Sequence, residues 1–293
     1  MKIMVTGSKG QLGSQLIKIL KNGNTELGRI DSLYGNAKVF ETDADTLDIT
    51  KLEDVICYVE SIKPNIIINP AAYTNVDESE RHPDDAYKVN AIGARNIAIA
   101  AEKVDSKLVH ISTDYVFSGD GTKPYKEFDI PNPQSVYGKS KLLGESYISK
   151  LSSKAFILRT AWLYGYNGKN FVKTIIKAAK EKGHLDVVDD QMGNPTNAED
   201  LAYHILKVAL TDEYGIYHIT GNGECSWYDF ACKIVEYSSI NCEVNPTKSD
   251  KLKRLAKRPS YSCLDHMMLR CTVGDEMRQW EDALRVFIKN TDI

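Results

Sequence analysis

The first twenty residues constrain the chain most. Lys2-Ile-Met-Val-Thr6 is a short β-branched and apolar run, glycines follow at Gly7, Gly10 and Gly13, and Leu12, Leu16, Ile19 and Leu20 recur at helical spacing. That order is strand, glycine turn, helix. Gly7 permits a tight turn, Gly10 lets backbone approach a pyrophosphate without a Cβ in the way, and Gly13 allows close helix-to-strand packing, while the helix N-terminus favours phosphate charge. Set between a buried strand and an amphipathic helix, the spacing points to dinucleotide binding rather than to a merely tight turn. Lys9, Gln11 and Leu12 lie inside the same turn and join it as cofactor-side candidates.

Alternation of strand and helix continues from there. Residues 22–36 are rich in turn formers and read as a long loop or a ragged edge segment, and Ala37–Asp43 as the second strand. Asp43 stands where a carboxylate would hold an adenine ribose, with a loop acid or a helix cap as the alternative. Leu47-Asp48-Ile49-Thr50 precedes a helical pattern at 51–62, with Thr50 as its N-cap, and Pro64–Pro70 is an apolar strand of the kind found inside parallel sheets. Ala71, Ala72 and Tyr73 open the loop at that strand's carboxyl end, where ligands of doubly wound sheets lie. A helix over 84–104 and a strand at Lys107–Ser112 follow, and Thr113 and Asp114 again fall on the ligand side. The expected fold is α/β, a Rossmann-like doubly wound parallel sheet with a smaller, interleaved C-terminal lobe. Residues 1–165 mainly form the dinucleotide-binding part, with later segments returning to it, and 166–293 mainly a substrate-binding lobe.

Residues 118–136 read as a loop long enough to cover a site, and a helix is expected over 135–149. On that helix Tyr137 and Lys141 are four apart and share a face. A lysine charge beside a phenol favours the phenolate and draws its pKa down towards the working pH of a general acid or base. Such pairs also arise by accident on solvated helices, so the pair gains weight only from what converges with it. Trp162 follows the strand 155–160, helices are expected at 170–182 and 199–210, strands at 185–189 and 215–220, and Ser226 caps a further helix. The basic stretch Lys251–Arg258 is too short for a nucleic-acid tail and brings one or two cations to an anionic small molecule.

A formal net charge of −3 without a basic run argues against nucleic acid or an anionic membrane surface as partner. The N-terminus lacks the apolar region of a signal peptide and no stretch is apolar enough to span a bilayer, so the expectation is a cytoplasmic protein. Six cysteines without a CxxC pair suggest free thiols rather than a metal or disulfide framework, and no metal site is expected. His110 reads as a core or supporting residue.

One resemblance then becomes specific. Gly7-x-x-Gly10-Gln-Leu-Gly13, Leu47-Asp-Ile-Thr50, Ile68–Asp77, Ser112–Phe117, Asn132–Lys141, Arg159–Gly165, Asn170-Phe-Val172, Asp190-Gln-x-Gly-x-Pro-Thr196 and Arg258-Pro-x-x-Ser262 stand in one order. In this the chain resembles the extended short-chain dehydrogenase/reductase superfamily, and within it the dTDP-4-dehydrorhamnose reductase family. The resemblance implies NADPH- or NADH-dependent reduction of the C4 ketone of dTDP-4-dehydro-β-L-rhamnose to dTDP-L-rhamnose, the last step in making activated rhamnose. It implies Tyr137 as proton donor, Lys141 on the nicotinamide ribose, and Thr113 on the carbonyl. It places Thr74, Val76, Thr113, Asp114 and Trp162 against the sugar, with Arg258 as candidate for the nucleotide phosphates. A reductase or epimerase for another nucleotide-linked keto sugar, and a non-catalytic dinucleotide-binding subunit, are the competing expectations. The resemblance allows a homodimer. Some members link theirs through magnesium on a glutamate of the first helix, where this chain has Gln15, so that metal is not expected.

Overall fold

The computed structural model describes residues 1–291. In chain order the main elements are β1 (Lys2–Val5), α1 (Gln11–Asn22), β2 (Lys38–Glu41), α2 (Leu52–Ile62), β3 (Ile66–Asn69), α3 (Val76–Arg81), α4 (Pro83–Tyr87), α5 (Ala94–Lys103), β4 (Lys107–Thr113), α6 (Val136–Leu151), β5 (Ala155–Thr160) and α7 (Phe171–Lys182). They continue as β6 (His184–Val188), α8 (Ala198–Ala209), β7 (Gly215–His218), α9 (Trp227–Tyr237), β8 (Glu243–Thr247), α10 (Met267–Thr272) and α11 (Trp280–Lys289). Six strands form one parallel sheet in the order β7-β5-β4-β3-β1-β2. The chain steps outward from β1 to β2, then returns to lay β3 on the other side of β1. That reversal opens a crevice at the carboxyl ends of β1 and β3, the place where doubly wound sheets bind ligands.

The strands are apolar on both faces because helices cover both. Ile3, Val5, Ile66, Ile68, Val109 and Leu158 face α1 and α8, while Met4, Ile67, Leu108 and Ile157 face α2, α5 and α6. A second core, of Ile175 and Ile176 from α7, Leu185 and Val187 from β6, Phe230 and Ile234 from α9, and Leu284 and Phe287 from α11, supports the far wall of the crevice. No helix among the described residues is long and apolar enough to cross a membrane.

Several local expectations are corrected. Residues 22–36 are not structureless: Asn24–Thr25 pairs with Gly28–Arg29 and a 3-10 turn at Ser32–Tyr34 buries Tyr34, whose hydroxyl donates to the Leu206 carbonyl at 2.8 Å. Thr50 does not cap α2. Its hydroxyl donates to Asp48, and Lys51 takes the N-cap position without a side-chain bond. The helix expected over 84–104 comprises α4, a π-helical segment at Lys88–Gly93 and α5. The 118–136 loop does not line the crevice; Tyr125 pairs its backbone with Cys263 and Asp265, and Glu127 accepts from the Met268 and His218 amides.

Helix α6 is fixed to the sheet by charge. Arg159 on β5 and Glu145 on α6 are 2 % and 3 % exposed and form a forked pair, Nη2 to Oε2 at 2.7 Å and Nε to Oε1 at 3.1 Å, with the Ser112 hydroxyl donating to the same carboxylate. Removing one partner leaves an uncompensated charge in a dry layer. Glu145→Ala is therefore expected to reduce the unfolding free energy by about 3–5 kcal/mol, read from urea midpoints at constant slope. Pairing Glu145→Leu with Arg159→Met should recover most of that loss. A single-variant loss below about 1 kcal/mol, the range of an exposed pair, would rule out the anchoring role.

Candidate active site

A cleft of about 810 Å³ lies at the carboxyl ends of the central strands. Its floor is the glycine turn. Gly7 has φ +52°, and a Cβ there would stand 3.0 Å from the Ala71 Cα. A Cβ on Gly13 would come within 2.2 Å of the Gly7 carbonyl oxygen, so this glycine seats the helix against the turn itself rather than against the strand. Gly10 is the N-cap of α1, with no side-chain cap and no acidic residue in the first turn. The first helical N–H groups therefore face the cleft without a protein partner of their own. An open cradle with that polarity fits a dinucleotide pyrophosphate.

The acidic candidates near this turn are occupied by the protein. Asp43 accepts from the Lys9 amide through Oδ2 and from the Ala44 amide through Oδ1, both at 2.8 Å, which ties the end of the β2 strand to the glycine turn. The Lys9 ammonium pairs with Asp45. Asp48 accepts from the Thr50 hydroxyl and amide, and these bonds hold its carboxyl below the usual range. Ile49 fills the space beside Gly93, where a Cβ would lie 2.7 Å from its Cδ1. Opposite, Asn90 in the π-helical segment accepts from the Tyr73 amide at 2.8 Å and donates to the Tyr73 carbonyl and the Ser140 hydroxyl at 3.0 Å. One buried amide thus fixes the Ala71–Tyr73 loop and α6 together.

Ser135 caps α6 by accepting from the Gly138 amide at 3.1 Å. A Cβ on Gly138 would sit 2.2 Å from the Tyr115 carbonyl oxygen, so the first turn of α6 lies directly on the 3-10 turn Asp114–Val116. That seating brings Tyr137 beside the end of β4. Burial holds the Tyr137 phenol above its ordinary pKa, against a lowering by the Thr113 hydroxyl. The phenol is accordingly protonated at neutral pH. The influence expected from Lys141 is absent from this balance, because its Nζ turns to the Ile111 carbonyl at 2.6 Å and lies 3.3 Å from His110 Nε2. Burial brings Lys141 down to about 8, opposed by the Glu145 charge one turn along the helix. His110 is held neutral by burial and by the Lys141 charge. Thr113 donates to Asp114 Oδ1 at 3.0 Å and accepts from the Tyr115 amide at 3.2 Å. Ser112, its neighbour, points the other way and is bound to Glu145.

The opposite wall is aromatic. Trp162 has φ +47°, an unfavourable backbone for a bulky residue, and its indole stacks on Trp227 with ring centres 3.5 Å apart and planes 9° from parallel. A Cβ on Gly193 would meet the same indole at 2.4 Å. Thr74 and Val76 line the rim. Of the residues expected at the site, Arg258 alone does not line the cleft: its Nη2 pairs with Asp77 Oδ2 at 3.2 Å, and the Ala256 amide binds Asp77 Oδ1 at 3.1 Å. The segment carrying Arg258 is thereby latched to the start of α3. Asn90, Trp227 and Asp77 were not singled out from the sequence. An asparagine on the apolar face of a helix was the available signal for Asn90; nothing local marked the other two.

The family described as the RmlD substrate binding domain matches residues 1–293. A dTDP-4-dehydrorhamnose reductase from Aggregatibacter actinomycetemcomitans is 41 % identical, with 97 % of each chain covered. Among solved structures, a dTDP-4-dehydrorhamnose reductase from Clostridium acetobutylicum superposes with a TM-score of 0.93 at 46 % identity, covering 99 % of both chains. Another from Bacillus anthracis, solved in complex with NADP, gives 0.92 at 43 % identity over 99 % of both chains. With the fold, the glycine cradle and the Thr113–Tyr137–Lys141 cluster in one cleft, these matches establish that the chain belongs to the dTDP-4-dehydrorhamnose reductase family.

Proposed function

We propose that this protein reduces the C4 ketone of dTDP-4-dehydro-β-L-rhamnose to dTDP-L-rhamnose with NADPH or NADH. The observation that carries the reading is that a protonated phenol, a hydroxyl and a buried ammonium converge beside an open pyrophosphate cradle. Bound NADPH or NADH supplies the hydride. Gly7, Gly10 and Gly13 with the amides of Gln11 and Leu12 hold the pyrophosphate, Asp43, Asp48 and Ile49 shape the adenosine end, and Ala71, Ala72 and Tyr73 border the middle of the cofactor. Lys141 binds the nicotinamide ribose. Tyr137 gives its proton to the C4 oxygen as negative charge develops there, and Thr113 donates a hydrogen bond to that oxygen. Both interactions strengthen in the transition state and so raise the rate rather than merely the affinity. Thr74, Val76 and Trp162 contact the sugar, with Asp114 beside Thr113, and Arg258, latched to Asp77 just outside the cleft, meets a diphosphate that extends past its rim.

The burial of Tyr137 favours its work as an acid. Reduction requires a loaded phenol, and a pKa held high keeps it loaded. Tyr137→Phe is expected to lower turnover of the dTDP-keto-sugar by about 10²–10⁴-fold while leaving cofactor affinity intact, measured by NADPH oxidation and by cofactor fluorescence titration. Near-normal turnover in that variant removes the phenol from the mechanism. A second expectation comes from Lys141. Its folded pKa of about 8 lies below the ordinary 10.5, so between those values the unfolded chain binds more protons and stability rises with pH. Lys141→Met should therefore abolish turnover yet unfold at higher urea than the parent near neutral pH. That advantage should shrink as pH rises through 8 and vanish above 10.5, and a gap that widens with pH contradicts the assignment.

A further inference from the structure

The Thr113 hydroxyl poses a donor problem. A hydroxyl has one proton and two acceptor sites. Here the proton is directed at Asp114 Oδ1 at 3.0 Å, one acceptor site takes the Tyr115 amide at 3.2 Å, and the Tyr137 phenol lies within reach of the same hydroxyl. A ketone oxygen can only accept, so in this arrangement Thr113 has nothing to offer it. Asp114 is itself unusual. It is 2 % exposed, borders the cleft, and its Oδ2 has no hydrogen-bond partner. No Lys, Arg or His forms an ion pair with it among the described residues. The groups facing it are the Thr113 hydroxyl and Tyr115 on its own turn, Tyr137 from α6, and Ser262 and Cys263 from the segment that follows Arg258. A carboxylate so placed is held by hydroxyls and backbone amides alone, with no cation to balance a buried charge.

We infer that Asp114 is a positioning residue: in its neutral acid form it donates to Thr113 Oγ1, which frees the threonine proton to bind the ketone oxygen. Thr113 then accepts from Asp114 and from the Tyr115 amide, and donates to the substrate. No proton leaves the pair during turnover; the transferred proton is still that of Tyr137. The ionised form holds Thr113 in the unproductive orientation seen here. Burial supports this, pushing the Asp114 carboxyl up to about 6 against the lowering by the Ser262 and Thr113 hydroxyls and by the Asp114 and Tyr115 backbone amides. The inference rests on the ketone-reductase reading above.

The test is the pH profile of kcat/KM, which reports groups of the free enzyme. The parent protein should lose activity by about tenfold per pH unit above the Asp114 midpoint. Asp114→Asn, whose amide can donate permanently to Thr113, should lose that limb, and its pH-independent drop in turnover should stay shallower than that of Thr113→Val. Thr113→Val should be slower by about 10–100-fold with the limb also gone. Persistence of the limb in Asp114→Asn, or an Asp114→Asn loss as deep as that of Thr113→Val at every pH, overturns the inference. Urea unfolding checks that Asp114→Asn folds, and it should be at least as stable as the parent above pH about 6, since a buried charge is removed. Should the parent reduce no nucleotide-linked keto sugar, the reductase reading fails on its own. Asp114 is then judged by the carboxyl ¹³C resonance that Asp114→Asn deletes from the ligand-free spectrum. A midpoint near 6 sustains the unusual acid, and one near the ordinary value of about 4 overturns it.

Discussion

The cleft depends on one ammonium group kept out of water. Lys141 is 1 % exposed, and a lysine at that depth is tolerated only where oxygen or nitrogen acceptors surround it. Ile111 supplies a carbonyl and His110 an imidazole. His110 in turn meets the Asn69 amide at 3.0 Å, and Asn69 accepts from the Thr6 hydroxyl at 2.5 Å, one residue before Gly7. A buried polar string thus runs from the lysine of α6 under three adjacent strands to the start of the glycine turn. Glu145, one turn beyond Lys141, locks into Arg159, and Arg159 Nη1 lies 3.4 Å from His218 on the edge strand. If α6 slid by one residue, the lysine, the glutamate and the arginine would all lose their partners together. The register of the helix is fixed by charge where packing alone would tolerate a shift.

The same dependence explains what could be read in advance. Spacings that act within one element were legible: glycines at intervals of three, Tyr137 and Lys141 one helical turn apart, and Ser226 as a helix cap, to which the structure adds Asp229 as the other half of a capping box. Strand residues buried on both faces, such as Ile66-Ile-Ile68, announced a parallel sheet. Contacts that join distant segments were not legible. Trp227 reaches Trp162 only because α9 packs against α7, and Asp77 meets Arg258 across 181 positions of sequence. The π-helical segment left no mark either. An extra residue in a helical turn leaves the apolar period almost intact while re-aiming Asn90 towards Tyr73. The thought that Lys141 lowers the Tyr137 pKa failed for a related reason: sequence spacing gives a shared face, but the direction of a long side chain is decided by the acceptor it finds.

Dryness gives the three ionisable groups of the site a common tendency. Burial raises the Tyr137 phenol and the Asp114 carboxyl and lowers the Lys141 ammonium, each towards its neutral form. The consequences differ by role. A phenol that stays protonated is ready to donate, a carboxyl brought near neutrality can exchange donor and acceptor roles with a hydroxyl, and an ammonium at about 8 still carries its charge under neutral conditions. One environment therefore leaves a protonated phenol, a carboxyl brought close to neutral pH and a charged ammonium side by side, because their ordinary values and the signs of their shifts differ.

The aromatic wall complements this from the other side of the cleft. A non-glycine residue in the left-handed region costs on the order of 1–3 kcal/mol, and it persists only where the surroundings hold it. Trp162 is held by Trp227 above and by the bare backbone of Gly193 below. Relaxing its backbone would break the stack and drive the indole out of the slot that the missing Cβ leaves open. The ring is thus fixed before any ligand arrives, and a ligand meeting a fixed wall loses less freedom on binding than one that must order it. The strain at Trp162 and the buried charges beneath α6 serve the same end: each moves the work of alignment into folding, so that the groups lining the cleft are placed before any ligand enters.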